Sequence, residues 1–213
     1  MKRGVFITLE GSEGAGKTVN MQFIREYLSE HDIEVVSTRE PGGTPVAEEI
    51  RKLLITPNEE SISAETELLL MFAARAQHLH QCILPALAQQ KWVVSDRFTD
   101  ATYAYQGGGR GMSEIMIARL EDIVQKDFRP DRVIVLDVPV DVGLERAAKR
   151  GELDRFESEK RGFFERVRAT YLARAYANQS RYRIVDATKA ISHVQDNLAA
   201  ILDEVLREQG RKK

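Results

Sequence analysis

The sequence predicts an α/β fold: a mainly parallel, five-stranded sheet covered by helices on both faces. Short β-branched runs alternate along the chain with longer stretches of helical periodicity, the signature of βαβ units. The 213 residues, 43% hydrophobic, can bury roughly 70% of their unfolded surface without staples. There is no internal repeat or low-complexity linker, so we expect one domain over residues 1–213.

The first strand is Val5–Leu9, and residues 17–30 follow as a helix with Met21, Ile24 and Leu28 on one side. Glu34–Thr38 is a short strand. Pro45–Leu54 is a helix whose Pro45 suits a first turn. Residues 64–84 form a long apolar helical pattern, and Pro85 kinks it or falls where a new helix starts. Trp92–Ser95 and Val133–Leu136 are strands; Glu114–Lys126, Val142–Arg150 and Phe163–Ala177 are helices. Arg183–Val185 is the last strand and Val194–Arg207 the closing helix, with Gln209–Lys213 frayed. Gln106–Gly111 reads either as a flexible turn before a helix or as a functional loop.

Composition excludes several classes. With 31 basic and 33 acidic residues the net charge is −2, against a general nucleic-acid coat. Cys82 is the single cysteine, so a disulfide framework is excluded and a reducing cytoplasm fits. No apolar run approaches the roughly 20 residues of a spanning helix, so no membrane partner is expected.

In open α/β sheets ligands bind beyond the carboxyl ends of the strands. After the first strand, Gly11-Ser12-Glu13-Gly14-Ala15-Gly16-Lys17-Thr18 satisfies G-x-x-x-x-G-K-[ST] between strand and helix. Loop amides and the helix N-terminus cradle phosphate oxygens, Lys17 reaches the β- and γ-phosphates, and Thr18 holds Mg²⁺. The motif alone leaves kinase, GTPase, motor and transporter ATPase open. There is no Asn-Lys-x-Asp guanine-reading motif.

Cations follow the other strands. Ser95-Asp96-Arg97 offers a carboxylate for Mg²⁺ and a guanidinium for a phosphate, or a plain surface ion pair. Thr38–Thr44 is a charged Pro-Gly turn containing Glu40, and Arg51 lies on the next helix. Arg75, three residues after Phe72, either snorkels outward or reads a base beside the ring. Arg146, Lys149, Arg150 and Arg155 surround Gly151, a place for a lid over about residues 146–160. Many cations and few bases around one phosphate loop favour a kinase whose acceptor is itself a phosphate: with a second pKa of about 6 it is ionised near neutrality and needs no general base.

The chain resembles the thymidylate kinase family, closely its bacterial form, over essentially its whole length. The anchors are Glu10–Thr18, Thr38–Thr44, Phe72-Ala-Ala-Arg75, Asp96-Arg97, Ala104–Gly111 and Arg150–Arg155. The resemblance implies a P-loop kinase fold with strand order 2-3-1-4-5, a homodimer, and transfer of phosphoryl from ATP to dTMP with Mg²⁺. By position it implies ATP on Gly11–Thr18, Mg²⁺ at Thr18 and Asp96, and Glu13 on the deoxyribose 3′-hydroxyl. Arg97, helped by Arg51, would hold the acceptor phosphate. Phe72 would stack on thymine, although some relatives place the aromatic where this chain has Met71. Arg75 would bond a thymine carbonyl, with Glu40, Thr102 and Gln106 in the same pocket and Tyr105 crowding the place of a 2′-hydroxyl. One branch of the family carries its catalytic arginine in the P-loop, where this chain has Gly14; the resemblance is thus to the branch with lid arginines, here Arg155 or Arg150 beside Lys17 and Arg97. A kinase for another monophosphate, or a nucleotide switch with no monophosphate site, are the competing readings.

Overall fold

In a computed structural model describing residues 3–56, 60–149, 155–156 and 159–210, five strands form one parallel sheet of order β2-β3-β1-β4-β5. They are β1 (Phe6–Glu10), β2 (Val35–Arg39), β3 (Trp92–Asp96), β4 (Arg132–Asp137) and β5 (Tyr182–Asp186). Central β1 pairs Ile7 with Val94 on one side and Arg132 on the other. It is buried along its length, as a strand covered on both faces must be.

Side-chain alternation divides the core. Ile7, Leu9, Val94, Ile134 and Leu136 meet α1 (Lys17–Glu30) and α9 (Ile191–Glu208) through Ile24, Leu28, Leu198 and Leu202. On the opposite face, Phe6 and Val93 pack with Leu79, Ile83 and Leu87. Val133 and Val135 meet Phe164, Val167 and Tyr171 of α8 (Arg161–Ala177).

The remaining helices are α2 (Pro45–Ile55), α3 (Ala64–His78), α4 (Leu84–Ala88), α5 (Thr99–Thr102), α6 (Glu114–Gln125) and α7 (Val140–Ala148). The Thr44 and Ser63 hydroxyls cap α2 and α3 by accepting from the Ala47 and Thr66 amides. Two segments differ from the sequence expectation. The helix expected over 64–84 opens into a π-helical stretch at Leu79–Ile83 before α4, which carries Pro85 in its first turn. Proline lacks an N–H and its ring crowds the carbonyl four residues back; the wider turn absorbs both. The stretch expected as a turn at Gln106–Gly111 is instead mostly a continuation of α5, a second π-helical segment at Tyr103–Gly109.

This segment is helical because α8 lies almost against its backbone. A Cβ at Gly108 would come within 2.2 Å of the Thr170 hydroxyl, and one at Gly109 within 2.4 Å of the Phe163 ring. Arg166 donates to the Gly108 and Gly109 carbonyls, satisfying acceptors that a π-helical end leaves open.

Candidate active site

The loop between β1 and α1 holds its shape through left-handed glycines, Gly14 at φ 69° and Gly16 at φ 84°. A Cβ on Gly14 would approach the Gly143 carbonyl oxygen at 2.0 Å, so the start of α7 leaves no room for a side chain there. Lys17 Nζ donates to the Gly11 and Ser12 carbonyls, each at 3.1 Å. Burial lowers the Lys17 pKa, with Arg97 adding to the effect and Glu13, Asp96 and Glu10 opposing it.

Arg97 follows β3 with φ 68°, a conformation costing a non-glycine residue about 1–3 kcal/mol. Its N–H donates to the Leu9 carbonyl at 3.0 Å, and its own carbonyl accepts from Ser95 Oγ at 2.7 Å. The resulting bend sends the guanidinium back to the P-loop. Nη2 donates to Glu13 Oε1 at 2.6 Å, Nη1 donates to the Gly11 carbonyl at 3.1 Å, and the group lies 4.6 Å over the Tyr105 ring. The Tyr105 hydroxyl donates to the same Glu13 oxygen at 2.7 Å; burial keeps that phenol protonated by raising its pKa.

Asp96 Oδ1 is buried with no hydrogen-bond partner among the described residues. Asp96 and Thr18 line the same cavity. One carboxylate and one hydroxyl, with nucleotide phosphates and waters completing six oxygens, are the donors a Mg²⁺ ion takes. Among the described residues no three His, Cys, Asp or Glu side chains cluster as a protein-only metal cage.

The cavity, about 460 Å³, runs from the P-loop to a polar apparatus at the far end. Arg75 is 2% exposed. Its Nε donates to Glu40 Oε2 and its Nη2 to Thr102 Oγ1, each at 2.8 Å, while Nη1 is buried with no hydrogen-bond partner among the described residues. The other Glu40 oxygen faces His78 Nδ1 at 2.9 Å, and His78 Nε2 meets Thr38 Oγ1 at 2.7 Å. Burial alone would lower the His78 pKa; hydrogen bonds and charge from Cys82 and Glu40 outweigh it and push the imidazole up to about 9. Glu40 therefore sits between two cations and fixes Arg75 from behind. Arg51 lines the cavity and donates to the Pro41 carbonyl at 3.0 Å.

Lys17, Thr18, Glu13, Glu40, Arg51, Arg75, Asp96, Arg97, Thr102, Tyr105 and Gln106, drawn from sequence positions 13 to 106, thus converge on one cavity. Of the expected residues, Gly11, Ser12, Phe72 and Arg155 do not line it; the Gly11 and Ser12 carbonyls accept from Lys17 instead. Phe72 turns into the core with Leu68, Tyr103 and Ile117, its ring 4.8 Å from the Arg75 guanidinium, and Met71 takes the cavity wall. Arg155 does not line the cavity: its Nη2 donates to Glu67 at 2.6 Å and its Nε to the Leu54 carbonyl at 2.7 Å. Arg150 lies outside the described residues.

A family model for thymidylate kinase matches residues 9–198. This chain belongs to the thymidylate kinase family. It is 58% identical over 203 residues to a thymidylate kinase of Pseudomonas savastanoi pv. phaseolicola, covering 95% of this chain and 97% of the relative. Identity is also 58%, over 206 residues, to that of Pseudomonas syringae pv. tomato, with 97% and 98% covered. The crystal structure of thymidylate kinase from Ehrlichia chaffeensis superposes with a TM-score of 0.76 at 34% identity, covering 94% of this chain and 98% of that one.

Against this thymidylate kinase framework, the sequence reading missed His78 and Glu67, named Met71 only as an alternative place for the aromatic, and placed Arg146 only in the lid cluster. A signal for the first three exists: Glu67, Met71, Arg75 and His78 recur at helical spacing along one stripe of α3. Three ionisable groups on a stripe facing inward require partners, and these partners form the site.

Proposed function

We propose that this chain transfers the γ-phosphoryl group of ATP to dTMP, giving dTDP and ADP, within a single domain over residues 1–213. The observation that carries the base-reading part is the Arg75 Nη1 donor: buried, without a hydrogen-bond partner among the described residues, and braced by Glu40 at the end of a cavity that begins at a P-loop. A buried donor without an acceptor is costly, and a thymine carbonyl supplies one.

The ATP phosphates lie on the Gly11–Thr18 loop, where amides and Lys17 hold them. Thr18 and Asp96 hold Mg²⁺, which when bound neutralises charge on the β- and γ-phosphates. Arg97 and Arg51 hold the acceptor phosphate, which attacks already ionised. Glu13 accepts from the sugar 3′-hydroxyl, and Tyr105 fills the space of a 2′-hydroxyl. Thr102 and Gln106 line the base pocket, and Met71, in place of Phe72, faces the base. Because the packing against Gly143 excludes a side chain at Gly14, the P-loop supplies no arginine to the transferring group. That charge falls to Lys17, Arg97 and cations of the lid side, among which Arg146 lines the cavity and Arg150 lies outside the described residues.

A homodimer across α3 and α6 accounts for Leu69, Ile115, Met116 and Ile123, which stand exposed on those helices. The single cysteine fits a reducing cytoplasm. Among the described residues no helix is long and apolar enough to cross a membrane. The test is ADP formation with ATP and Mg²⁺, offering dTMP, dUMP, dCMP, dGMP, AMP, UMP and thymidine one at a time. The reading requires dTMP first, with dUMP second because one methyl contributes only about 1–3 kcal/mol. Hydrolysis indifferent to every monophosphate refutes it.

A further inference from the structure

The strongest feature outside the residues assigned above is the Glu67 carboxylate, fully buried on α3. It accepts from Gln106 Nε2 at 2.8 Å, from Arg155 Nη2 at 2.6 Å, and from Arg110 Nε and Nη2, each at 3.3 Å. These donors come from two parts of the chain, Gln106 and Arg110 from one and Arg155 from the other. Gln106 lies in the π-helical segment and lines the cavity, and Arg110 follows that segment and pairs with Glu159. Arg155 also donates its amide to the Ile55 carbonyl at 3.2 Å and its Nε to that of Leu54, closing on the end of α2. The next residue, Phe156, lines the cavity and meets the Tyr105 ring edge-on at 6.0 Å. One turn along α3 from Glu67 stands Met71. A single carboxylate thus lies behind the cavity wall made by Ile55, Met71, Gln106 and Phe156.

We propose that Glu67 is a positioning residue for the acceptor site, holding these wall segments in register, and that Arg155 is its anchor rather than a cation acting on the transferring phosphoryl group. A buried carboxylate that receives several charge-assisted hydrogen bonds is a rigid node, and loss of one partner leaves charge unpaired in the interior. The contacts sit at the acceptor end and none reaches the P-loop, so their loss acts on dTMP and leaves ATP binding alone. This inference rests on the dTMP kinase reading above.

The experiment compares Arg155→Met, Arg155→Lys, Glu67→Gln and the double variant Glu67→Gln/Arg155→Met by initial rates over separate dTMP and ATP series. We expect Arg155→Met to raise the dTMP KM about tenfold while kcat and the ATP KM stay within about twofold, and Arg155→Lys to restore most of the loss. The double variant should be no worse than Glu67→Gln alone, since both changes break one contact. A fall in kcat with Arg155→Met at unchanged dTMP KM overturns the proposal, and so do effects that multiply in the double variant. If Glu67→Gln does not fold, the two Arg155 variants decide alone, because that side chain is partly exposed. A wild-type protein without dTMP-dependent ADP formation refutes the functional reading instead.

Discussion

Replacing Gly109 by alanine tests whether the π-helical segment is held by contact with α8 or is merely a permissive glycine stretch. In an ordinary helix, glycine to alanine stabilises by about 1 kcal/mol. Here the new Cβ would lie 2.4 Å from one Phe163 ring carbon and 2.6 Å from the next, both in a ring that is 4% exposed. Phe163 cannot swing away, because it packs edge-on against Phe164 at 5.4 Å and Tyr105 at 6.0 Å. Overpacking of this kind costs about 1–3 kcal/mol, which outweighs the helical gain and reverses the sign. Set against the gain of about 1 kcal/mol, a mid-range cost leaves a net loss of about 1 kcal/mol, which for a chain of this length lowers Tm by roughly 2–4 °C. Gly107→Ala is the internal control: its Cβ meets only the terminal methyl of Ile117, at 3.3 Å, so the gain and the small displacement nearly cancel. The assay is a calorimetric melt of both variants, with the dTMP KM measured alongside, since the displaced segment carries Tyr105 and Gln106. A Gly109→Ala protein that melts at or above wild type refutes the packing argument.

Lys17→Ala should cost a hundredfold or more in turnover, in line with loss of one preorganised charge, while the melt is retained; unchanged turnover would remove Lys17 from the chemistry. Met71→Phe should lower the dTMP KM by about threefold, since an aromatic platform adds about 0.5–1.5 kcal/mol of stacking, and a raised KM would place the base elsewhere. Glu10 supplies a pH test. Burial, reinforced by Asp100 and opposed by Arg97, pushes its carboxyl up to about 8. The native state thus keeps a proton that the unfolded chain sheds near 4.5, and this stabilisation, complete at low pH, is lost as pH rises through 8. Urea midpoints between about pH 5 and pH 8 should fall in the wild type and flatten in Glu10→Gln, whereas equal slopes would refute the assignment.

Much of the fold is legible in the sequence because strands and helices here obey one period each. The Val5–Leu9 run and the spacing of Met21, Ile24 and Leu28 carry their burial in their composition. The P-loop is legible because its chemistry is local. Gln106–Gly111 is not: three glycines signal a turn, and only the distant residues Phe163, Arg166 and Thr170 make them helical. The family resemblance puts the aromatic beside Arg75 on the base side, yet Leu68 and Phe72 share the core-facing line of α3 and Met71 shares the line of Arg75. Arg155 looks like a free lid cation in sequence because its partner Glu67 stands 88 residues away. Pairings over that distance follow from topology and leave no local mark.

Lys17 and Arg97 both spend their donors on the protein's own oxygens, those of Gly11, Ser12 and Glu13. The phosphate end is consequently satisfied from within, and an arriving nucleotide trades places with internal acceptors instead of filling a bare electropositive hole.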